Sequence, residues 1–258
     1  MRHDLDAAAE AQRYVEPPPD GGVFGWGRLQ ALAALAVLGS LLVPMLISFS
    51  FEPFIVSMAA PLAIGLLLLV TWPRVGAIWL GVVSLGLLVF SAPFLVEALT
   101  HPESMADFIP LSFFTVGCVV GAVAAIPTFR ERARPDATSS TPRMIAMATG
   151  ALLVVAAVVS IIAFAGIESV PAQGGDIRLV AEDIAFRPKG ITVENGEVSV
   201  HVANLDGTRH TFTIDELGVD LNVPPNTDER ITFTAGPGTY RFYCRPHAPG
   251  MEGVLVLR

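Results

Sequence analysis

The sequence predicts two structures in series: an N-terminal five-helix transmembrane bundle and a C-terminal all-β Greek-key sandwich. Three observations carry this reading. Charge is sparse over roughly residues 29–166, while 171–258 has the mix of an ordinary soluble sequence. The apolar half holds five runs close to the ~20 residues that a helix needs to cross a bilayer. After residue 176 the pattern changes to short alternating runs rich in β-branched and aromatic residues, the signature of strands.

The composition agrees. Hydrophobic residues make up 52% and charged residues 16%, with mean hydropathy +0.58, more apolar than a typical soluble domain. The net charge of −8 and the lack of any basic stripe exclude a nucleic-acid partner.

The five expected spans are 29–49, 54–72, 76–98, 108–128 and 144–166, separated by connections such as "SFSFEP", "TWPRVG" and "LTHPESMAD". A polar leader, residues 1–28, precedes the first span, which therefore does not read as a cleaved signal peptide. Within the leader, Gly25 and Gly27 do not make a phosphate loop, because no strand precedes them and a span follows. Arginine placement sets the orientation. Arg2, Arg13, Arg28, Arg74, Arg130, Arg132, Arg134 and Arg143 fall on one side, and the alternate loops around 50–53 and 99–107 carry no Lys or Arg. The expectation is an integral protein of a prokaryotic cytoplasmic membrane, in contact with the lipid bilayer, N-terminus cytoplasmic and C-terminal domain extracytoplasmic.

No histidine lies within a span, and no ionisable group sits near a span's middle, which argues against haem ligation or a proton relay in the bundle. "GCVVG", Gly117 to Gly121, has small-xxx-small spacing for close helix packing. Cys118 between them reads as a small buried apolar residue. Met45, Met58, His101 and Met105 gather toward the outer side with Glu52, Glu97, Glu103 and Asp107. Soft ligands of this kind suit reduced copper, so a second copper site is one reading. The commoner one is apolar methionines at span ends beside solvated acids.

Residues 167–175 form a tether, and 176–258 the outer domain. Seven strands are expected: "IRLVA", "ITV", "VSVHVAN", "HTFTI", "RITFTA", "TYRFYC" and "GVLVLR". Turn signals such as "ENGE", "NLDGTR" and "AGPG" separate them. Phe186, Val193, Val200, Val202, Phe212, Ile214, Ile231, Phe233, Tyr240, Phe242 and Leu255 are the expected core.

The loop "CRPHAPGM" carries the chemistry. Cys244 has no partner in its domain, because the other cysteine, Cys118, lies in the bundle, and an exported thiol without a disulfide needs another role. His247 and Met251 follow on the same loop. A thiolate and two imidazoles with a weak axial thioether is the blue-copper donor set. The second imidazole must come from His201 or His210. His201 alternates with Val200 and Val202 and should face away from the core, whereas His210 opens a strand after a turn, so His210 is chosen.

The stretches "FRPKGITVENGEVSVHVANLDGTRHTFTID" and "GTYRFYCRPHAPGMEGVLVL" resemble the cupredoxins, in particular the plastocyanin-like branch. The resemblance covers roughly 176–258 and none of the membrane half. It implies one type 1 copper ion with His210, Cys244 and His247 as equatorial ligands and Met251 as axial ligand. It also implies that Thr211 ties the two ligand loops together. The three residues between His247 and Met251 are intermediate between plastocyanin-like and amicyanin-like loops. Arg245 and Pro246 stand where a binuclear copper centre would need a second cysteine.

A fixed Cys/His2/Met cage suits one-electron exchange, and four protein ligands leave no open position for a substrate. The expected function is therefore a membrane-anchored electron carrier, not an enzyme. Its partner would be a redox protein or respiratory complex at the outer face, docking where Pro246, Ala248, Pro249 and Gly250 surround His247. The alternative is a copper binding, delivery or sensing protein.

Overall fold

The computed structural model describes residues 24–47, 51–131, 140–194 and 196–258. Most of the leader, including Arg2 and Arg13, lies outside the described residues, as do Arg132, Arg134 and Asn195 of the "ENGE" turn.

Among the described residues, five helices are long and apolar enough to cross a membrane. They are α1 (Trp26–Ile47), α2 (Pro53–Thr71), α3 (Pro73–Leu99), α4 (Met105–Glu131) and α5 (Thr141–Ala165). Each overlaps its expected span. Proline in the first turn of α2, α3 and α5 fits the helix start, where its missing N–H is not needed. α4 packs mainly against α1 and α3. A Cβ on Gly117 would lie 2.7 Å from Val37 and 2.9 Å from the Ala33 carbonyl oxygen, and one on Gly121 would lie 2.7 Å from Ser84 Oγ. Gly117 is thus where the α1 backbone approaches α4 too closely for a side chain, and Gly121 leaves room for the Ser84 hydroxyl of α3. Cys118 between them is fully buried, in a cluster with Val37, Leu62, Leu80 and Phe114.

Gln30 on α1 is buried inside the bundle. Its Nε2 donates to Ala77 O at 2.9 Å and to Gly121 O at 3.2 Å, so one amide ties three helices together. Its Oε1 has no protein partner. Interhelical hydrogen bonds in membranes contribute only about 0.6 kcal/mol on average. Gln30→Met should therefore change stability in detergent by about 1 kcal/mol or less. A loss several times larger in SDS-induced unfolding would show that the amide does more than this.

Among the described residues, the second half is a two-sheet sandwich of nine strands, two more than the seven expected. They are β1 (Ile177–Glu182), β2 (Ala185–Arg187), β3 (Gly190–Val193), β4 (Gly196–Asn204), β5 (His210–Ile214), β6 (Val219–Val223), β7 (Asp228–Ala235), β8 (Gly238–Tyr243) and β9 (Glu252–Leu257). One sheet has the order β2-β1-β4-β7, the other β3-β9-β8-β5-β6. The pairs β1–β4 and β3–β9 are parallel and the rest antiparallel. The additional strands are β2, which the two-residue turn Asp183–Ile184 folds back on β1, and β6, which edges the second sheet.

Between the sheets Phe186, Phe212 and Phe242 meet with ring centroids 5.3–6.4 Å apart. Val200, Val202, Ile214 and Leu255 are buried with them, and Val193, Ile231, Phe233 and Tyr240 pack around the edge. The period-two alternation of β5 and β8 also places the site. Phe212 and Ile214 face the core, so His210 does too; Phe242 faces the core, and Cys244, two residues on, follows it.

Candidate metal centre

Two segments build the site. His210 is the first residue of β5. Cys244 directly follows β8 and caps a single 3-10 turn, Arg245–His247, before the chain enters β9 past Met251. The turn closes on itself: His247 N donates to Cys244 O (3.2 Å), Met251 N to His247 O (3.1 Å) and Cys244 N to Met251 O (3.0 Å). These bonds bring the "CRPHAPGM" loop into a compact ring with Cys244 and Met251 both fully buried.

The two imidazoles turn their Nδ1 atoms toward the thiol. His210 Nδ1 and His247 Nδ1 are 3.1 Å apart, and Cys244 Sγ lies 3.3 Å from His247 Nδ1 and 3.6 Å from His210 Nδ1. The three ligand atoms lie within 4.8 Å of one another, the only such group of three or more His, Cys, Asp or Glu among the described residues. A triangle with these sides has its circumcentre about 1.9 Å from each corner, close to the roughly 2.0–2.3 Å of metal–nitrogen and metal–sulfur bonds. The donor set and its spacing therefore fit a soft transition-metal ion.

Burial tunes each donor. It lowers the His210 pKa, and the Asp206 carboxylate offsets part of that. It lowers His247 to about 4, with repulsion from His210 adding to the effect. Both rings are thus neutral near pH 7 and keep a lone pair for a metal. Burial pushes the Cys244 thiol up, opposed mainly by the Thr211 N–H, so a metal ion binding there displaces a proton.

Thr211 joins the two segments. Its N–H donates to Cys244 Sγ at 3.4 Å, and its Oγ1 accepts from Arg245 N at 2.9 Å. His201 lies on the opposite face of its sheet, bonded through Nε2 to the Val170 carbonyl of the tether at 3.0 Å. The structure brings His210, not His201, to the thiol.

Sequence reasoning missed Asp206. Its Oδ2 lies 2.8 Å from His210 Nε2, the ring nitrogen that faces away from the cysteine. Its two oxygens also accept from Asp183 N (2.9 Å) and Ile184 N (3.0 Å). A carboxylate on the far nitrogen of a ligand histidine fixes tautomer and ring orientation and raises ligand basicity. The spacing of Asp206 and His210 across a Gly-containing loop was the available signal.

The bundle also reaches the site. Thr208 Oγ1 donates to Asp107 Oδ2 at 2.6 Å, Arg209 N to Ser104 Oγ at 3.3 Å, and the buried Arg209 guanidinium pairs with Glu97 and bonds Asn222. A cavity of about 170 Å³ lies at this seam, between His247 and Pro246 on one side and Phe94, Ala98, His101 and Leu111 on the other. Part of the predicted docking surface around His247 thus faces the chain's own helix ends, while Ala248, Pro249 and Gly250 stay exposed. Of the candidate second copper site, His101 bonds Glu103 at 2.9 Å and Met58 packs against the bundle core.

A two-sheet sandwich with a His/Cys/His group at one end defines a class of metal-binding β-protein. The family model of the cupredoxin-like domain matches residues 151–257. Plastocyanin from Physcomitrium patens is 34% identical over 150 residues, covering 52% of this chain and 80% of that protein. Plastocyanin from Daucus carota is 33% identical over 96 residues, covering 32% and 98%. Among solved structures, amicyanin from Paracoccus versutus aligns over 34% of this chain and 85% of its own, with 15% identity and TM-score 0.29. The chain belongs to the cupredoxin-like family.

Proposed function

We propose that the chain is a membrane-anchored type 1 copper protein that carries single electrons on the extracytoplasmic face of a prokaryotic membrane. The observation that carries this is the convergence of His210 Nδ1, His247 Nδ1 and Cys244 Sγ within 3.1–3.6 Å at a buried end of the sandwich. His210, Cys244 and His247 would hold copper, with Met251 as the fourth, axial donor. Residues 1–28 form the cytoplasmic leader, 29–166 the five-span anchor, 167–175 the tether and 176–258 the copper domain. Bound there, copper would alternate between Cu(I) and Cu(II) and so store one electron.

The protein's own residues favour that task by keeping the donors still. Asp206 fixes the His210 ring, Thr211 holds the thiol and the following amide, and the loop's backbone bonds fix His247 relative to Cys244 and Met251. Four protein donors leave no position for a substrate. Relatives named plastocyanin support a carrier rather than an enzyme. The bonds of Thr208 and Arg209 to Asp107, Ser104 and Glu97 hold this end of the sandwich at the bundle, consistent with a redox partner or respiratory complex in the same membrane.

The test is a Cu(II) titration of the purified full chain in detergent. The expected result is one equivalent bound, with an intense blue absorption that reductant bleaches and oxidant restores. Colourless, tight binding of Cu(I) alone would favour copper delivery instead.

A further inference from the structure

We propose that the outer ends of α3 and α4 are a working part of the copper site: they position His210 through Thr208 and Arg209, and so help to set the potential of the metal. The proposal rests on the copper reading above and gives the bundle a task beyond anchoring.

Four consecutive residues carry the argument. Thr208 and Arg209 reach outward to the bundle, and His210 and Thr211 inward to the metal centre. Thr208 Oγ1 donates to Asp107 Oδ2 at 2.6 Å, and Arg209 N to Ser104 Oγ at 3.3 Å. His210 Nδ1 and Thr211 N face Cys244 Sγ at 3.6 and 3.4 Å. Planar peptide units join each residue to the next and leave only two soft torsions per residue. The bundle therefore grips the chain one and two residues before the ligand. Ser104 is 1% exposed and donates to Asp107 at 2.5 Å, which leaves its oxygen to accept from Arg209 N.

The Arg209 side chain fixes the same segment. It is buried, as a charged residue seldom is unless paired. Its guanidinium pairs with Glu97 near the end of α3 and donates to Asn222 Oδ1 at 2.8 Å. Asn222 stands opposite Thr211 in the β5–β6 register, and its Nδ2 donates to Glu103 Oε1 at 3.4 Å. One cation thus ties α3, β6 and the start of β5 together. From the sandwich side, Asn204 Nδ2 donates to the carbonyls of Thr208, Val223 and Pro224. The turn that delivers His210 is held between the sandwich and the bundle.

The direction of the effect follows from ligand geometry. Two imidazoles and a thiolate held in a trigonal arrangement differ from the tetragonal coordination that Cu(II) favours. Freeing the His210 segment from α3 and α4 lets its ring move toward the Cu(II) preference. That favours the oxidised state and lowers the potential.

The test uses the full chain in detergent, loaded with Cu(II), and variants that keep the net charge constant. Ser104→Ala removes the hydroxyl between Arg209 N and Asp107, and Glu97→Gln combined with Arg209→Gln removes the ion pair. The double variant is expected to favour Cu(II) over Cu(I) about tenfold, the lower end of what loss of an outer-shell partner costs. Protein-film voltammetry reads this as a fall of about 59 mV, and Ser104→Ala falls by less. Gln30→Met alters the bundle core at Ala77 and Gly121, away from the seam, and leaves the potential unchanged. A second readout needs no metal. In the metal-free chain both seam variants speed hydrogen–deuterium exchange of the Thr211–Ile214 amides, and Gln30→Met does not. A seam that served adhesion alone would lose thermal stability in both variants and keep native potential and exchange. That result would overturn the proposal, as would an equal shift in Gln30→Met. A native chain that never binds copper would overturn the copper reading, and the exchange measurement would still decide whether the bundle positions the His210 segment.

Discussion

Cys244→Ser is expected to remove the blue absorption of the proposed site entirely and to weaken copper binding by more than the 10–100-fold that loss of an outer-shell partner costs. The thiolate is the donor that gives a type 1 site its colour and its affinity for both oxidation states, and a serine hydroxyl at the same position is a hard, neutral ligand. No other sulfur can substitute as thiolate, because Cys118 is buried in the bundle core. The fold should survive. Sγ faces Thr211 N and the two imidazoles, so the serine hydroxyl has hydrogen-bonding neighbours, and an imperfectly placed one costs about 1–3 kcal/mol. Visible absorption and copper titration give the first result, and circular dichroism the second. In the native chain the raised thiol pKa has a further consequence: copper must displace the Cys244 proton, so apparent affinity rises with pH until the thiol's own pKa is passed. A serine variant that kept its colour would show that the thiolate is not a ligand.

The features legible in sequence were those with a strong period or a scarce residue type. Five apolar runs near the length of a bilayer span gave α1 to α5, and alternation gave Phe212 and Phe242 of the core. A thiol without a disulfide partner pointed to the loop at 244–251. Alternation with Val200 and Val202 set His201 aside, and the place of His210 at the start of a strand after a turn selected it; the structure adds that Phe212 and Ile214 below it are buried in the core. Illegible parts were those made by tertiary contact. β2 was hidden because its turn, Asp183–Ile184, has neither Gly nor Asn and is held by a carboxylate twenty-two residues or more away. β6, "VDLNV", carries exposed or half-buried residues at three of its five positions, as an edge strand does. The seam between Thr208–Arg209 and Glu97, Ser104 and Asp107 spans more than 100 residues of sequence, beyond any local pattern.

The second large effect is expected at Asp206. Its carboxylate contacts His210 Nε2 while its oxygens bind the Asp183 and Ile184 amides, and it is ionised at neutral pH: burial opposes its charge, but the Ile184, His210 and Asp183 hydrogen bonds outweigh burial and lower its pKa. An anion behind a ligand imidazole makes it a stronger donor and favours the more highly charged metal state. Asp206→Ala should therefore weaken Cu(II) about 10–100-fold, and Cu(I) less. The difference appears as a rise in reduction potential, about 59 mV for each tenfold by which Cu(II) is weakened more than Cu(I). Asp206→Asn separates two roles, since an amide can still anchor part of the turn but carries no charge. If charge matters most, both variants raise the potential similarly; if holding the ring matters most, asparagine keeps the native value and alanine alone shifts. An aspartate that served only the fold would move thermal stability and leave the potential where it was, because only a group that acts on His210, by its charge or by holding the ring, distinguishes the two oxidation states. Protein-film voltammetry reads that difference directly, and an unchanged potential in both variants would refute the role assigned to Asp206.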